Sequence, residues 1–403
     1  MDPGLFLEIL GIDSTSGSER RLAEFLAERL PGPVKGFPER AKCQVLKFEV
    51  GDGTENLLLD WSGTEKPSFV FCTHLDTVPP YIPPTMVPLR KGDALPEEVL
   101  RVFRSGDVPE GGAARDGEEA ARSGEAGRVT RDDVLIRGRG SCDAKGQLFA
   151  MYTACRELEA MGRKDFGLLL LAGEETGSFG AKAYSRDCPG GDFVLVGEPT
   201  DNCLVTAGKG TKAFGVTIHG RPCHSGYPEQ GESAVEKFVE FMNMLAAVEF
   251  PVDPVLGPTT WNVGKLSSDN PQNVLSPEVR FRLYFRTTFA SDTLIRKALE
   301  GICPAGTEVE AFGGDEPLEY FSAVGGIASK PVAFGSDAPG LVKFARRAIC
   351  GPGSILTAHT AGEYVLLSDL EQAVRQDVAI FLEATGRQRT ASKKRETSFQ
   401  NSV

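Results

Sequence analysis

FGLLLLAGEETG, Phe166 to Gly177, is the stretch on which the reading of this chain turns. Its apolar half carries no charge and predicts a strand buried on both faces, the kind found in sheets covered by helices. The run stops at Gly173 and opens into two adjacent carboxylates, Glu174 and Glu175. Open α/β sheets place their chemistry just beyond the carboxyl ends of their strands. Adjacent side chains in extended backbone point in opposite directions, so such a pair can divide two jobs, one holding a metal and the other moving a proton. Alone, Glu-Glu is a solvated acidic turn; the other strand ends give it weight.

Toward the N-terminus, FVFCTHLDTV (Phe69 to Val78) is a second buried strand, and it runs into His74 and Asp76. Residues two apart on a strand share a face, so Asp76 can approach the His74 imidazole, as a carboxylate beside a metal-bound histidine does. Upstream, Pro3 to Leu10 predicts a short helix, and Ser16 with Glu19 a capping box for a helix with Leu22, Phe25, Leu26 and Leu30 on one face. Cys43 to Val50 and Asn56 to Asp60 read as strands. From about Lys91 to Thr130 the composition (Gly, Ala, Glu, Arg) cannot offset its ordering entropy, which predicts an inserted surface loop, mobile from roughly Ser105 to Arg128. Order resumes at DDVLIRGRGSCDAKG, where Gly138 and Gly140 permit a tight backbone around Asp143 and Gly146 starts a helix through Met161. Past the opening stretch, a short helix precedes DFVLVGEPTD, a buried strand ending at Glu198.

At 403 residues the natural expectation is two domains. A net charge of −12 argues against a nucleic-acid partner. No apolar run approaches the ~18 residues of a membrane span. The N-terminus lacks the basic and apolar regions of a signal peptide. Nine cysteines, scattered without a CxxC pair, fit a reducing compartment, and the expected location is the cytoplasm.

His74-x-Asp76, the Gly-rich turn with Asp143 and Lys145, Glu174-Glu175, and Glu198-Pro199 follow one another at strand ends. Together with His359 they resemble the M20 family of zinc aminoacylases and exopeptidases, which includes acetylornithine deacetylase, succinyl-diaminopimelate desuccinylase, aminoacylase-1 and carboxypeptidase G2. The resemblance runs from the first helix to about Gly386. It implies an α/β catalytic domain with a largely parallel sheet, residues 1–205 and 326–386, and an inserted ferredoxin-like lid and dimerisation domain, 206–325. The sequence agrees: strand Thr211–His219, helix Glu232–Ala247, strands Thr260–Leu266 and Val279–Arg286, helix Asp292–Gly301 and strand Glu308–Ala311 give βαββαβ. Ser368 and Glu371 predict the cap of a last helix burying Leu370, Val374, Val378 and Phe381, and 387–403 read as a disordered tail.

By the resemblance, Asp143 bridges two metal ions, His74 and Glu198 complete one site, and Glu175 and His359 the other. That nitrogen–oxygen set suits two Zn2+ per chain, with Co2+ or Mn2+ as substitutes. Three carboxylates and a bridging hydroxide neutralise two divalent ions, which lowers the desolvation cost of the cluster. Two metals ~3.5–4 Å apart polarise a carbonyl and activate water. Glu174 matches the general base and acid, Asp76 the residue beside the histidine ligand, and His224 an oxyanion donor reaching across from the partner of a homodimer. His219, at an alternating strand position, reads as structural. Arg286 matches the family's carboxylate-binding arginine, Asn273 a polar neighbour, and Gly353 a turn offering backbone amides. The expected substrate is an N-acyl amino acid or a short peptide with a free carboxylate. An amidohydrolase most like acetylornithine deacetylase leads; a dipeptidase or carboxypeptidase is the alternative. A third reading, a binding relative without turnover, is opposed by the intact ligand set and Glu174.

Overall fold

The computed structural model describes residues 1–51, 53–94 and 131–400, with side chains through Gly386. Beyond Ala94 the predicted insert lies outside the described residues. The chain forms two compact units: Met1–Thr206, Tyr320–Lys330 and Ser336 onward in the first, Ala207–Glu319 and Pro331–Gly335 in the second.

The first unit is built on a six-stranded sheet in the order Gln44–Gly51, Thr54–Asp60, Phe166–Leu171, Phe69–His74, Gly191–Val196, Phe344–Ile349. The last four run parallel, and the first two form an antiparallel hairpin on one side. Phe69–His74 and Phe166–Leu171 are buried at every position, because aromatic and aliphatic side chains meet helices on both faces. Phe69 stacks on Phe193 and meets Phe381 edge-on, while Phe6 stacks on Phe149 of the helix Lys145–Ala160. Register then decides where the chemistry falls. His74 pairs with Leu171 and Cys72 with Val196, so His74, the Glu174–Glu175 turn and Glu198 all leave the sheet at one end. A second sheet, Tyr364–Leu366, Asp133–Arg137 and Thr85–Leu89, leads into the loop of Asp143.

Two local expectations are corrected. The helix Arg20–Arg29 has no side-chain cap, because Ser16 gives its hydroxyl to Asp76 instead of the helix end. Ser368 lies inside the last helix, where its amide and hydroxyl both reach Asp133, so a distant carboxylate does the capping. That helix begins at Leu367, and the tail expected from Arg387 lies outside the residues whose side chains are described.

The second unit has an antiparallel sheet in the order Thr260–Ser267, Glu278–Thr287, Gly210–His219, Thr307–Gly313, with helices Ala234–Ala246 and Ile295–Ile302. This is the ferredoxin-like arrangement. Val279, Phe281, Leu283 and Phe285 are buried in a core with Phe241 and Leu299, and the residues alternating with them face away. No described helix is long and apolar enough to cross a membrane.

Candidate metal centre and active site

In the first unit, His74 Nε2 lies 3.0 Å from Asp143 Oδ1. The other Asp143 oxygen is 3.4 Å from His359 Nε2, which is 3.0 Å from Glu175 Oε1. His74, Asp143 and Glu198 each offer a ligand atom within 4.8 Å of the others, and so do Asp143, Glu175 and His359. Asp143 is common to both groups, the position a bridging ligand would need. His74, Glu174 and Glu175 meet the same spacing. All five expected ligands and Glu174 therefore converge.

His74, Asp143, Glu174 and Glu175 are fixed through backbone atoms. His74 Nδ1 contacts the Asp76 carbonyl oxygen at 2.9 Å and the Asp76 carboxylate at 3.4 Å, so the carbonyl is its nearer partner. An Nδ1–H directed there leaves the Nε2 lone pair facing the cluster. The Asp76 carboxylate instead collects the amides of Glu174 and Glu175, at 3.0 and 3.1 Å, and the Ser16 hydroxyl at 2.8 Å. Asp76 thus approaches the histidine as expected and fixes the acidic turn as well. The far side of that turn is clamped by the buried Asn56, which accepts the Ala172 N–H and donates to the Gly180 carbonyl. Gly173, at φ +70°, has no alternative, since a Cβ there would stand 1.7 Å from the Phe179 ring. His359 itself holds a left-handed backbone, φ +62°, which is uncommon for a residue with a side chain.

The electrostatics call for cations. Burial, reinforced by the Glu174 and Asp143 charges, pushes Glu198 well above its usual range, and its Oε1 is buried without a hydrogen bond. Burial raises Glu174 in the same way. Burial also opposes ionisation of Asp143, but hydrogen bonds from His359 and His74 outweigh it and hold that carboxyl low. Hydrogen bonds to Asp143 and Glu175 raise His359 to about 10. Without other positive charge, the cluster is relieved only by protons, on the rings or on the raised carboxyls of Glu174 and Glu198. Divalent ions can take the place of those protons and occupy the unpartnered Glu198 oxygen, so the residues present fit a metal centre.

Several participants carried no signal in the sequence. Asp337 is 1% exposed, and burial pushes it up to about 7. It sits among the charges of His74 and Asp76, and only the fold brings it there. Asn56, Ser16 and Glu363, which accepts the amides of Cys142 and Asp143, are likewise long-range partners. Lys145 is buried, donates to the Ile12 carbonyl at 2.6 Å, and is lowered by burial to about 8.

The remaining candidates divide. Gly353, at φ +78°, packs against Cys142, whose Sγ would be 2.6 Å from a Cβ there, and its carbonyl accepts the Asp201 amide. In the second unit His224 and Asn273 lie on neighbouring segments, with the Ser225 amide donating to the Asn273 carbonyl. His224 Nδ1 accepts the Gly226 amide at 3.1 Å, which places the proton of the neutral ring on Nε2. Arg286 lies 5.1 Å from the Tyr284 ring centre and makes no ion pair among the described residues. His219 stands between Glu278 and Glu308 at the surface.

A model described as a peptidase dimerisation domain matches residues 206–304. A "Probable carboxypeptidase" of Aspergillus oryzae is 30% identical over 91% of this chain and 86% of its own. A tripeptidase from Staphylococcus aureus has the same fold, with a TM-score of 0.68 at 18% identity over 94% of this chain and 97% of that one. So does an M20 family metallo-carboxypeptidase from Sulfolobus solfataricus, with a TM-score of 0.61 at 14% identity over 94% and 98%. Fold and cluster together define a metallohydrolase. The chain belongs to the M20 peptidase family, and it is a hydrolase of C–N bonds.

Proposed function

We propose that this protein is a two-metal exopeptidase of the carboxypeptidase type, cleaving the amide bond beside a free carboxylate. The observation that carries it is the shared position of Asp143 between His74–Glu198 and Glu175–His359. These residues would hold two divalent ions, zinc being the natural choice for two nitrogens and three carboxylates. When bound, the ions polarise the scissile carbonyl and bring the attacking water toward deprotonation at neutral pH. Glu174 takes the proton of that water and returns it to the leaving nitrogen, a task suited to a carboxyl that burial raises. His224 donates Nε2–H to the developing oxyanion, from the partner subunit of a homodimer. Arg286 pairs with the substrate carboxylate, with Asn273 and Gly353 completing its surroundings. The proposed compartment is the cytoplasm, in keeping with nine free cysteines.

The names of the full-length relatives favour a peptide over an acyl amino acid. Deacylation of an N-acyl amino acid is the second reading, because it places the same amide beside the same carboxylate. A panel of dipeptides and tripeptides, free or amidated at the C-terminus, run beside acetyl-ornithine, succinyl-diaminopimelate and acetyl-methionine, separates them. Cleavage of free peptides with amidated ones spared supports the proposal. A higher kcat/KM for the acylated amino acids would establish the second reading, and cleavage of amidated peptides at equal rate would remove Arg286 from its role.

A further inference from the structure

Arg139 and Glu363 form an ion pair 2.5 Å apart that is almost wholly buried, with side chains 3% and 0% exposed. The proposed chemistry uses neither. A buried ion pair is a weak source of stability, because desolvation offsets the attraction and apolar residues of similar volume often do as well. What distinguishes this one is where its other hydrogen bonds go. Glu363 Oε1 accepts the amides of Cys142 and Asp143 at 3.0 and 3.1 Å. Arg139 Nη1 donates to the carbonyl of Thr360, next to His359, at 3.2 Å, and Nε to the carbonyl of Pro80 at 3.2 Å. Pro80 follows His74 and Asp76 in the chain, and the Gly138 amide closes the ring on the Glu363 carbonyl at 3.3 Å. The loops of Asp143 and His359, and the segment that follows His74, are thus held through main-chain atoms by one neutral pair, which adds no net charge beside a cluster already crowded with carboxylates.

We propose that Arg139 and Glu363 are positioning residues that set the spacing of Asp143 and His359, and with it the affinity of the Asp143–Glu175–His359 group for its cation. The inference rests on the metal-centre reading above. Glu363 fixes the amide from which the Asp143 side chain departs. Arg139 fixes the carbonyl beside the left-handed His359, which has few other contacts and a side chain 50% exposed.

The test is a double variant, Arg139→Met with Glu363→Gln. A glutamine oxygen still accepts the Cys142 and Asp143 amides, and methionine fills space without donating, so the ion pair and the tie to Thr360 and Pro80 are cut together. Metal-free protein is titrated with zinc against a chromophoric chelator, and thermal midpoints are read with and without zinc. The expected result is one ion bound within about threefold of wild type and the other weakened about 10- to 100-fold, the usual range for partners of metal ligands. The zinc-induced rise in midpoint should shrink while the metal-free midpoint stays near wild type. Should the double variant fail to fold, Arg139→Lys, which keeps the charge but cannot span three acceptors, should show the same selective weakening. Equal zinc affinities in variant and wild type, with both midpoints lowered in parallel, would reduce the pair to a structural contact. Wild-type protein that binds no zinc would overturn the metal-centre reading as well, so the two failures are distinguishable.

Discussion

His74, Asp143 and Glu198 are between 1% and 6% exposed, and His74 reaches Asp143 at 3.0 Å, while His224 and Asn273 stand at the surface of the second unit and Arg286 is half-buried without an acidic partner among the described residues. The two groups of candidates are built in opposite ways. In the first unit charge is concentrated, desolvated and anchored to backbone, an arrangement that is unfavourable until cations arrive. In the second unit His224 and Asn273 are exposed and Arg286 makes no ion pair among the described residues, as suits the substrate contacts proposed for them. On the proposed function the contrast separates the holding of metal from the recognition of what is cleaved, and it can be probed one residue at a time.

The largest effect is expected from Glu174→Gln. Shape is retained but the base is lost, so kcat should fall ~100- to 10,000-fold while metal content by elemental analysis stays at the wild-type value. Glu175→Gln should lose metal together with activity, since an amide is a poor zinc ligand. Metal loss in the first and retention in the second would mean the two roles are exchanged. His224→Ala should lower kcat by about 100- to 1,000-fold with metal retained, the range for one oxyanion donor. Mixed dimers of His224→Ala with Glu174→Gln should recover part of the activity, and a verified heterodimer without recovery would confine His224 to its own subunit.

Asn56→Asp is a milder test of the first unit's rigidity. The substituted oxygen would face the Gly180 carbonyl in place of a donor, which should cost about 1–3 kcal/mol in urea unfolding and reduce kcat with it. Unchanged kcat in a destabilised variant would show that the clamp serves the fold alone. The smallest effect concerns Asp377, on the last helix and far from any candidate ligand. Burial alone raises its carboxyl well above 3.8. An acid whose folded value is raised holds its proton more tightly when folded, so its contribution is most favourable below pH 3.8 and worsens as pH rises. Asp377→Asn should therefore change little at low pH and stabilise increasingly as pH rises, read as a pH-dependent rise in Tm. A gain independent of pH would contradict that sign.

The strands that carry the ligands were legible because each is a short apolar run ending in an abrupt polar cluster, a pattern that a strand buried on both faces produces and an amphipathic element does not. Phe69–His74 and Phe166–Leu171 fall where the sequence places them. What lies between strand ends was less legible, because it depends on partners far apart in the chain. Ser16 looks like a helix cap from its neighbours, yet its partner is Asp76. Asn56 reads as one residue of a strand, and nothing local reveals that it closes the turn of Glu174 and Glu175. Asp337 and the Arg139–Glu363 pair are ordinary charged residues until the sheet buries them. Periodicity reports burial of a face; it does not report which polar atoms meet.

Metal stoichiometry measured together with turnover tests the central claim most directly. Purified protein, stripped with chelator and titrated with zinc, should regain hydrolysis as it binds two ions per chain, and His359→Ala should stop at one. Full hydrolytic activity in protein that contains no divalent metal would contradict the account.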